Sequence, residues 1–179
     1  MELGLLRHAD ASPANGGLIP TDAVRPLSAL GHDQARDVGL FLRRIGQIPN
    51  LIMCSPLRRT RETSEGLQRG LGKKVDIIAL PELACEVETS IQAEAIALAL
   101  QKAKAPRSSR VIAVGHMPDL ALLAAYYMCG SEGSLDFEKA ALATIAFPNL
   151  PTAELGRLLH WTTPAIHSLC SPINDELAR

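Results

Sequence analysis

The sequence predicts an α/β protein built on a mostly parallel central sheet. Two observations carry this. Short apolar runs alternate with segments of helical length along the chain, and such alternation is the pattern of helices crossing over a parallel sheet. Three of the runs are nearly continuous in apolar character, which suits strands covered on both faces. The 179 residues are expected to form one domain over 1–179, long enough to bury a substantial core.

The first run is "ELGLL" (2–6), which stops abruptly at Arg7-His8. A Gly- and Pro-rich loop near 13–20 follows. A helix is expected over 28–46, because Ser28 is a good N-cap and Ala35, Val38, Phe41, Leu42 and Ile45 recur at helical spacing. The second run is "NLIMC" (50–54). Pro56 suits the first position of a helix over 56–70, with Ser55 before it as a cap. "VDIIAL" (75–80) is the third run, followed by a helix over 90–104 that starts at Ser90 and places Ile91, Ala95 and Leu98 on one face. "RVIAVG" (110–115) is the fourth, followed by a helix over 118–129 that starts at Pro118. "LATIAF" (142–147) and the weaker "GRLLHW" (156–161) follow one another without a clear helix between them, so this part of the sheet is expected to be antiparallel.

Composition narrows the function. Aromatic residues make up only 3% of the chain, so the core must be aliphatic. A net charge of −1 argues against a general nucleic-acid binder, which carries a basic excess. No apolar run reaches the length of a membrane span, and the apolar stretch in "MELGLLRH" is too short for a signal peptide. A cytoplasmic location with no membrane partner is therefore expected. Cys54, Cys85, Cys129 and Cys170 lie far apart, without zinc spacing, and read as buried or half-buried apolar residues.

In open α/β sheets, ligands bind outside the carboxyl ends of the strands. The first strand ends at Arg7 and His8, the second leads into "SPLRRTRET" with Arg58 and Arg59, and the fourth ends at Gly115 before His116, Met117 and Pro118. Three strand ends thus deliver two histidines and at least two arginines to one edge of the sheet. Arginine forks bind phosphate oxygens in pairs, and helix N-termini present free N–H groups to anions. A neutral imidazole in such a site can attack phosphorus, and the nearby arginines should lower its pKa. No Walker-type loop and no acidic cluster suited to magnesium are present, so a metal-independent reaction without cofactor is expected.

These residues resemble the histidine phosphatase superfamily, the phosphoglycerate-mutase-like proteins. "LLRHA" and "GHMP" carry the likeness to the superfamily. "DAVRPLSALGHDQA" (22–35) looks like the Asp-x-x-Arg-Pro-Leu-x-x-x-Gly signature of the small SixA-like phosphohistidine phosphatases, and "CSPLRRTRET" (54–63) resembles their Ser-Pro-x-x-Arg-x-x-x-Thr segment. "LPEL" (80–83) and "LLHWTTPAI" (158–166) also fit.

The resemblance implies a three-layer α/β/α sandwich. It also implies that His8 is the phosphoryl-accepting nucleophile, and that Arg7, Arg59 and His116 hold the phosphoryl oxygens beside the Met117 backbone. Arg59, rather than Arg58, falls at the family's position. Ala9 departs from the superfamily's glycine. Glu82 and Asp10 both stand as candidates for the proton donor. Asp22 and Arg25 either orient the phosphate pocket or pair with each other to fix their loop.

Each residue has a plainer reading. His8 alone marks a strand end, Arg7 can pair with a carboxylate such as Glu82, and His116 can cap a helix. Arg58 and Arg61 read as surface charges. His32, His160 and His167 read as an exposed helix position, a strand position and a loop position, and Trp161 and Phe41 as core. The convergence favours catalysis over these readings. The expected function is hydrolysis of a phosphohistidine on a protein partner, such as a histidine-containing phosphotransfer domain. The alternatives are a phosphatase of small-metabolite phosphomonoesters and a silent phospho-ligand binding module.

Overall fold

In a computed structural model of the protein, residues 1–13, 22–130 and 135–171 are described. Their elements follow the order β1 (Glu2–Arg7), α1 (Ala29–Arg44), β2 (Leu51–Cys54), α2 (Arg58–Leu71), β3 (Asp76–Ala79), α3 (Thr89–Lys102), β4 (Arg110–Gly115), α4 (Asp119–Cys129), β5 (Leu142–Ala146), β6 (Arg157–Thr162) and α5 (Pro164–Ser168). Short 3₁₀ turns lie at Asp22–Val24 and Pro81–Leu83.

One six-stranded sheet runs in the order β3-β2-β4-β1-β5-β6. The pairs β3/β2, β2/β4 and β4/β1 are parallel, while β5 is antiparallel to both β1 and β6. The sheet is mixed and mainly parallel, with its antiparallel part at the two strands that lack a helix between them.

Side-chain alternation along each strand builds two cores. Leu3, Leu5, Met53, Val111, Ala113 and Ile145 face α3 and α4, packing on Ile96, Leu100, Leu120, Leu123 and Tyr127. Leu6, Ile52, Cys54, Ile112, Val114 and Leu142 face the other way, onto Ala35, Val38, Phe41, Leu42, Leu67 and Leu71 of α1 and α2. The outcome is a three-layer α/β/α sandwich with aliphatic cores, as the low aromatic content requires.

The local rules hold at some ends and fail at others. Ser28 caps α1 by accepting from the Gly31 N–H at 3.0 Å. Three helices start off the expected residue, among them α4, which begins at Asp119 with Pro118 before it. α2 begins at Arg58 rather than Pro56, and the Ser55 hydroxyl accepts from the Leu57 N–H at 3.3 Å, ahead of the helix. α3 begins at Thr89 without a side-chain cap, because the Ser90 hydroxyl donates to Glu88 instead.

The expected apolar face of α3 is also displaced. Ile91 and Leu98 are exposed, and the helix buries Gln92, Ala93, Ile96, Ala99 and Leu100. Ile45 is exposed at the end of α1. Cys85 and Cys129 are exposed, so only Cys54 and Cys170 fit the expected burial of the cysteines. His167 lies on α5, fully buried against Phe41, rather than in a loop. Most of the expected 13–20 loop lies outside the described residues. Among the described residues, no helix is long and apolar enough to cross a membrane.

Close backbone approach fixes α1 against α2 and against the end of β1. A Cβ at Gly39 would lie 2.1 Å from the Leu67 carbonyl oxygen, and one at Gly70 would lie 2.0 Å from that of Arg36. A Cβ at Gly31 would meet the Asp10 carbonyl oxygen at 1.9 Å. Gly31 is the glycine that ends the Asp-x-x-Arg-Pro-Leu segment, so its place there has a packing cause. Gly70→Ala should lower the unfolding free energy by about 1–3 kcal/mol, the usual scale of overpacking, in urea denaturation.

Candidate active site

The carboxyl ends of β2, β4 and β1 lie side by side in the sheet. In the β1/β4 register, Arg7 faces Gly115, and the His8 N–H donates to the Gly115 carbonyl at 3.1 Å. His8 and His116 therefore leave adjacent parallel strands at the same height, with ring centroids 5.3 Å apart. Both are buried.

The hydrogen-bond partners settle both tautomers. His8 Nδ1 lies 2.7 Å from the Ala9 carbonyl oxygen, which can only accept, so Nδ1 carries the proton. Nε2 of His8 keeps its lone pair. His116 Nδ1 lies 3.3 Å from Nη2 of Arg59, which can only donate, so the proton sits on Nε2. That Nε2 is buried and has no partner among the described residues. The pair thus offers one nucleophilic nitrogen and one N–H donor.

Burial pushes the His8 imidazole down to about 4, with Arg59, Arg7 and Arg25 adding to the fall and the Ala9 hydrogen bond opposing it. His116 falls to about 3, again from burial first and then from Arg59 and His8. Sequence reasoning assigned the lowering to the arginines; desolvation is the larger cause.

Arg59 comes from the first turn of α2 and is 3% exposed. Its Nη1 donates to the Asp22 backbone carbonyl at 3.0 Å and pairs with the Asp22 carboxylate at 2.9 Å, while its Nε has no partner among the described residues. Arg7 donates through Nη1 to the Phe137 carbonyl at 2.6 Å, and its buried Nε is likewise unpartnered among the described residues. Arg25 pairs with Asp22 at 3.1 Å, so one carboxylate serves two arginines. Through Asp22, Arg25 is tied to Arg59, whose Nη2 reaches His116. Met117, half-buried, packs its side chain against the α3/α4 core.

The two candidate proton donors sit in different surroundings. Asp10 accepts from Ser28 Oγ at 2.6 Å and from Lys139 Nζ at 2.5 Å. These bonds, Lys139 first, hold its carboxyl below the ordinary range and keep it ionised. Glu82 is half-buried and lines a groove with Ile78, Leu80 and Ala95, between β3 and α3.

Sequence reasoning missed the residues that fasten the site together. Thr63 Oγ1 accepts from the Ala9 N–H at 3.1 Å and donates to the Arg59 carbonyl at 2.7 Å. It therefore joins the end of β1 to the turn that carries Arg59. Glu62 accepts from the Leu27 N–H at 2.7 Å and ties the 22–28 loop to the same helix. Thr63 was visible as the last residue of the Ser-Pro-x-x-Arg-x-x-x-Thr segment, but its partner Ala9 is distant in sequence. Ala9 is fully buried in the α1/α2 core, so its methyl faces packing. Among the described residues, no group of three or more His, Cys, Asp or Glu side chains could hold a metal ion.

Comparison with known proteins bears on the fold. Residues 3–88, just under half of the chain, match the model of the histidine phosphatase superfamily (branch 1). Its fold is the one seen in the protein histidine phosphatase SixA complexed with tungstate: TM-score 0.77, 21% identity, covering 93% of this chain and 99% of that one. A mycobacterial glucosyl-3-phosphoglycerate phosphatase complexed with VO3 shares the fold at TM-score 0.70 and 17% identity, over 90% of this chain and 99% of that one. An uncharacterized chloroplastic protein of Arabidopsis thaliana is 42% identical over 64 residues, which is 36% of this chain and 28% of that relative.

The depressed histidines set the response to acid. Below pH 6.5 the unfolded chain takes up protons that folded His8, His116 and His167 refuse until about pH 4, 3 and 4 respectively. Stability is therefore full above about pH 6.5 and falls as the pH drops toward 4. NMR titration of the imidazoles should find His8 and His116 still neutral at pH 5; midpoints near 6.5 would refute the burial argument.

Proposed function

We propose that this protein is a phosphatase that works through a covalent phosphohistidine on His8, with phosphohistidine on a protein as its substrate class. The observation that carries the reading is the fixed tautomer of His8 beside buried N–H groups of Arg7, Arg59 and His116 that have no partner among the described residues. Such donors await an anion with several oxygens, and a phosphoryl group matches them. The oxoanions in the two structurally similar phosphatases support the same guest.

The reaction runs in two in-line steps. Nε2 of His8 attacks phosphorus, and the bond from phosphorus to the leaving group breaks. The ring becomes a phosphoimidazolium whose Nδ1–H remains on the Ala9 carbonyl. Arg7, Arg59 and His116 hold the equatorial oxygens as charge shifts. Water then attacks phosphorus, the P–N bond breaks, and phosphate leaves with His8 again neutral. The Met117 backbone N–H adds a donor, and Arg25 and Asp22 orient Arg59. The whole of 1–179 acts as one catalytic domain.

The proton donor bears on the substrate. Asp10 is held ionised by Lys139 and Ser28 and has no proton to give at neutral pH. A histidine side chain has an ordinary pKa near 6.5, so it departs from phosphorus without a strong acid. That favours a phosphoramidate over an alkyl ester, with Glu82 or solvent supplying the proton. A small phosphomonoester is the second reading, supported by the likeness to the glucosyl-3-phosphoglycerate phosphatase.

His8→Ala should lose both turnover and the acid-labile label that the wild type acquires from a phosphosubstrate. Arg59→Ala should cost roughly 100- to 1,000-fold in kcat, the scale of one transition-state donor. Turnover should persist in EDTA. A panel setting a phosphohistidine-carrying phosphotransfer domain against sugar and nucleotide phosphates decides the substrate. Preference for a small ester would remove the protein substrate, and failure on every member would remove the phosphatase. Asp10→Asn should keep turnover within about threefold while lowering stability by roughly 1 kcal/mol, because it acts on Ser28 and Lys139; a collapse of kcat would restore it as the acid.

A further inference from the structure

A second carboxylate lies behind the site. Asp119 opens α4, three residues after His116, and is 7% exposed. A carboxylate at a helix start commonly meets the free N–H groups of that helix. Asp119 also reaches across to another segment. Its Oδ1 accepts from the Glu86 backbone N–H at 3.1 Å and from Gln92 Nε2 at 3.4 Å. Its Oδ2 is buried without a partner among the described residues, and burial raises its pKa. Both groups known to touch it are donors, so it serves as an acceptor.

The segment it grips leads back to the phosphate pocket. Glu86 has φ 65°, a left-handed conformation that a residue with a Cβ keeps only when its surroundings hold it. Cys85, directly before it, sets Sγ 3.6 Å from Nη2 of Arg59. The same Nη2 lies 3.3 Å from His116 Nδ1. The contacts therefore close a ring: Asp119 to Glu86, along the chain to Cys85, across to Arg59, on to His116, and along the chain back to Asp119.

We propose that Asp119 is a positioning residue that, through its hydrogen bond to Glu86, seats Cys85 against Arg59 and so fixes the guanidinium with Nε free for a phosphoryl oxygen. This rests on the phosphatase reading above. Because the role needs an acceptor and no proton, an amide should replace the carboxylate.

The test measures orthovanadate binding, and kcat and KM with p-nitrophenyl phosphate. It uses the wild type, Asp119→Asn, Asp119→Ala, Cys85→Ala and the Asp119→Ala/Cys85→Ala double variant. Losing one hydrogen bond in the ring should weaken vanadate binding and kcat/KM together, by about 2- to 10-fold in Asp119→Ala. Asp119→Asn should stay within about twofold of wild type in both. Cys85→Ala should show part of the same loss, and the double variant should be no worse than Asp119→Ala, as expected for residues acting in one chain.

Wild-type vanadate affinity in Asp119→Ala would overturn the proposal, even if its thermal stability falls. So would an Asp119→Asn variant as impaired as Asp119→Ala, or fully additive losses. Should Asp119→Ala not fold, unchanged vanadate affinity in Cys85→Ala overturns it instead. A wild type that neither binds vanadate nor turns over substrate would refute the phosphatase reading itself, a distinct outcome.

Discussion

The parallel pairing of β1 with β4 is the constraint on which the site depends. It sets Arg7 opposite Gly115 and gives the His8 N–H to the Gly115 carbonyl. Two histidines more than a hundred residues apart then emerge at one height on neighbouring strands. β2 flanks β4 on its other side and sends Arg59 toward the same edge through the first turn of α2. A one-residue slip of β1 would carry every side chain to the opposite face and exchange the two cores. Leu3 and Leu5 on one face and Leu6 on the other hold that register by burial.

Burial also sets the chemistry. A histidine in water is part protonated near neutral pH, and a protonated ring cannot attack phosphorus. Here both rings are desolvated at the rim of the core, a larger effect than the repulsion from Arg59, Arg7 and Arg25 at His8 and from Arg59 and Arg25 at His116. The arginines keep their charge in the same place because the guanidinium pKa lies far higher. One backbone carbonyl and one guanidinium then give the two rings opposite tautomers. The positive and neutral groups can thus share a small volume, with several donors left open for an anion.

Several motif residues make the contacts that pack and tie together the strand ends. Gly31 lets α1 start against the Asp10 carbonyl, Thr63 staples Ala9 to Arg59, and Ser28 caps α1 while holding Asp10. Asp10, beside the nucleophile in sequence, is part of this scaffold. His8 and Asp10 lie beyond the end of β1, where the chain no longer alternates as a strand, and Asp10 turns to Ser28 and Lys139.

The sequence by itself determined the element order, the mainly parallel sheet and the strand ends that carry Arg7, His8, Arg59 and His116. These follow from local periodicity and from the rule that ligands gather at the carboxyl ends of strands. Helix starts were less legible: Pro56 and Ser90 satisfy local preferences, yet α2 begins at Arg58 and α3 at Thr89. The buried face of α3 was misread because Ile91 and Leu98 are apolar but point away from the sheet. Only the tertiary structure decided the tautomers, the dominance of desolvation, the commitment of Asp10 and the reach of Asp119 to Glu86. Each depends on partners far away in the chain, whose distance and burial no local pattern encodes.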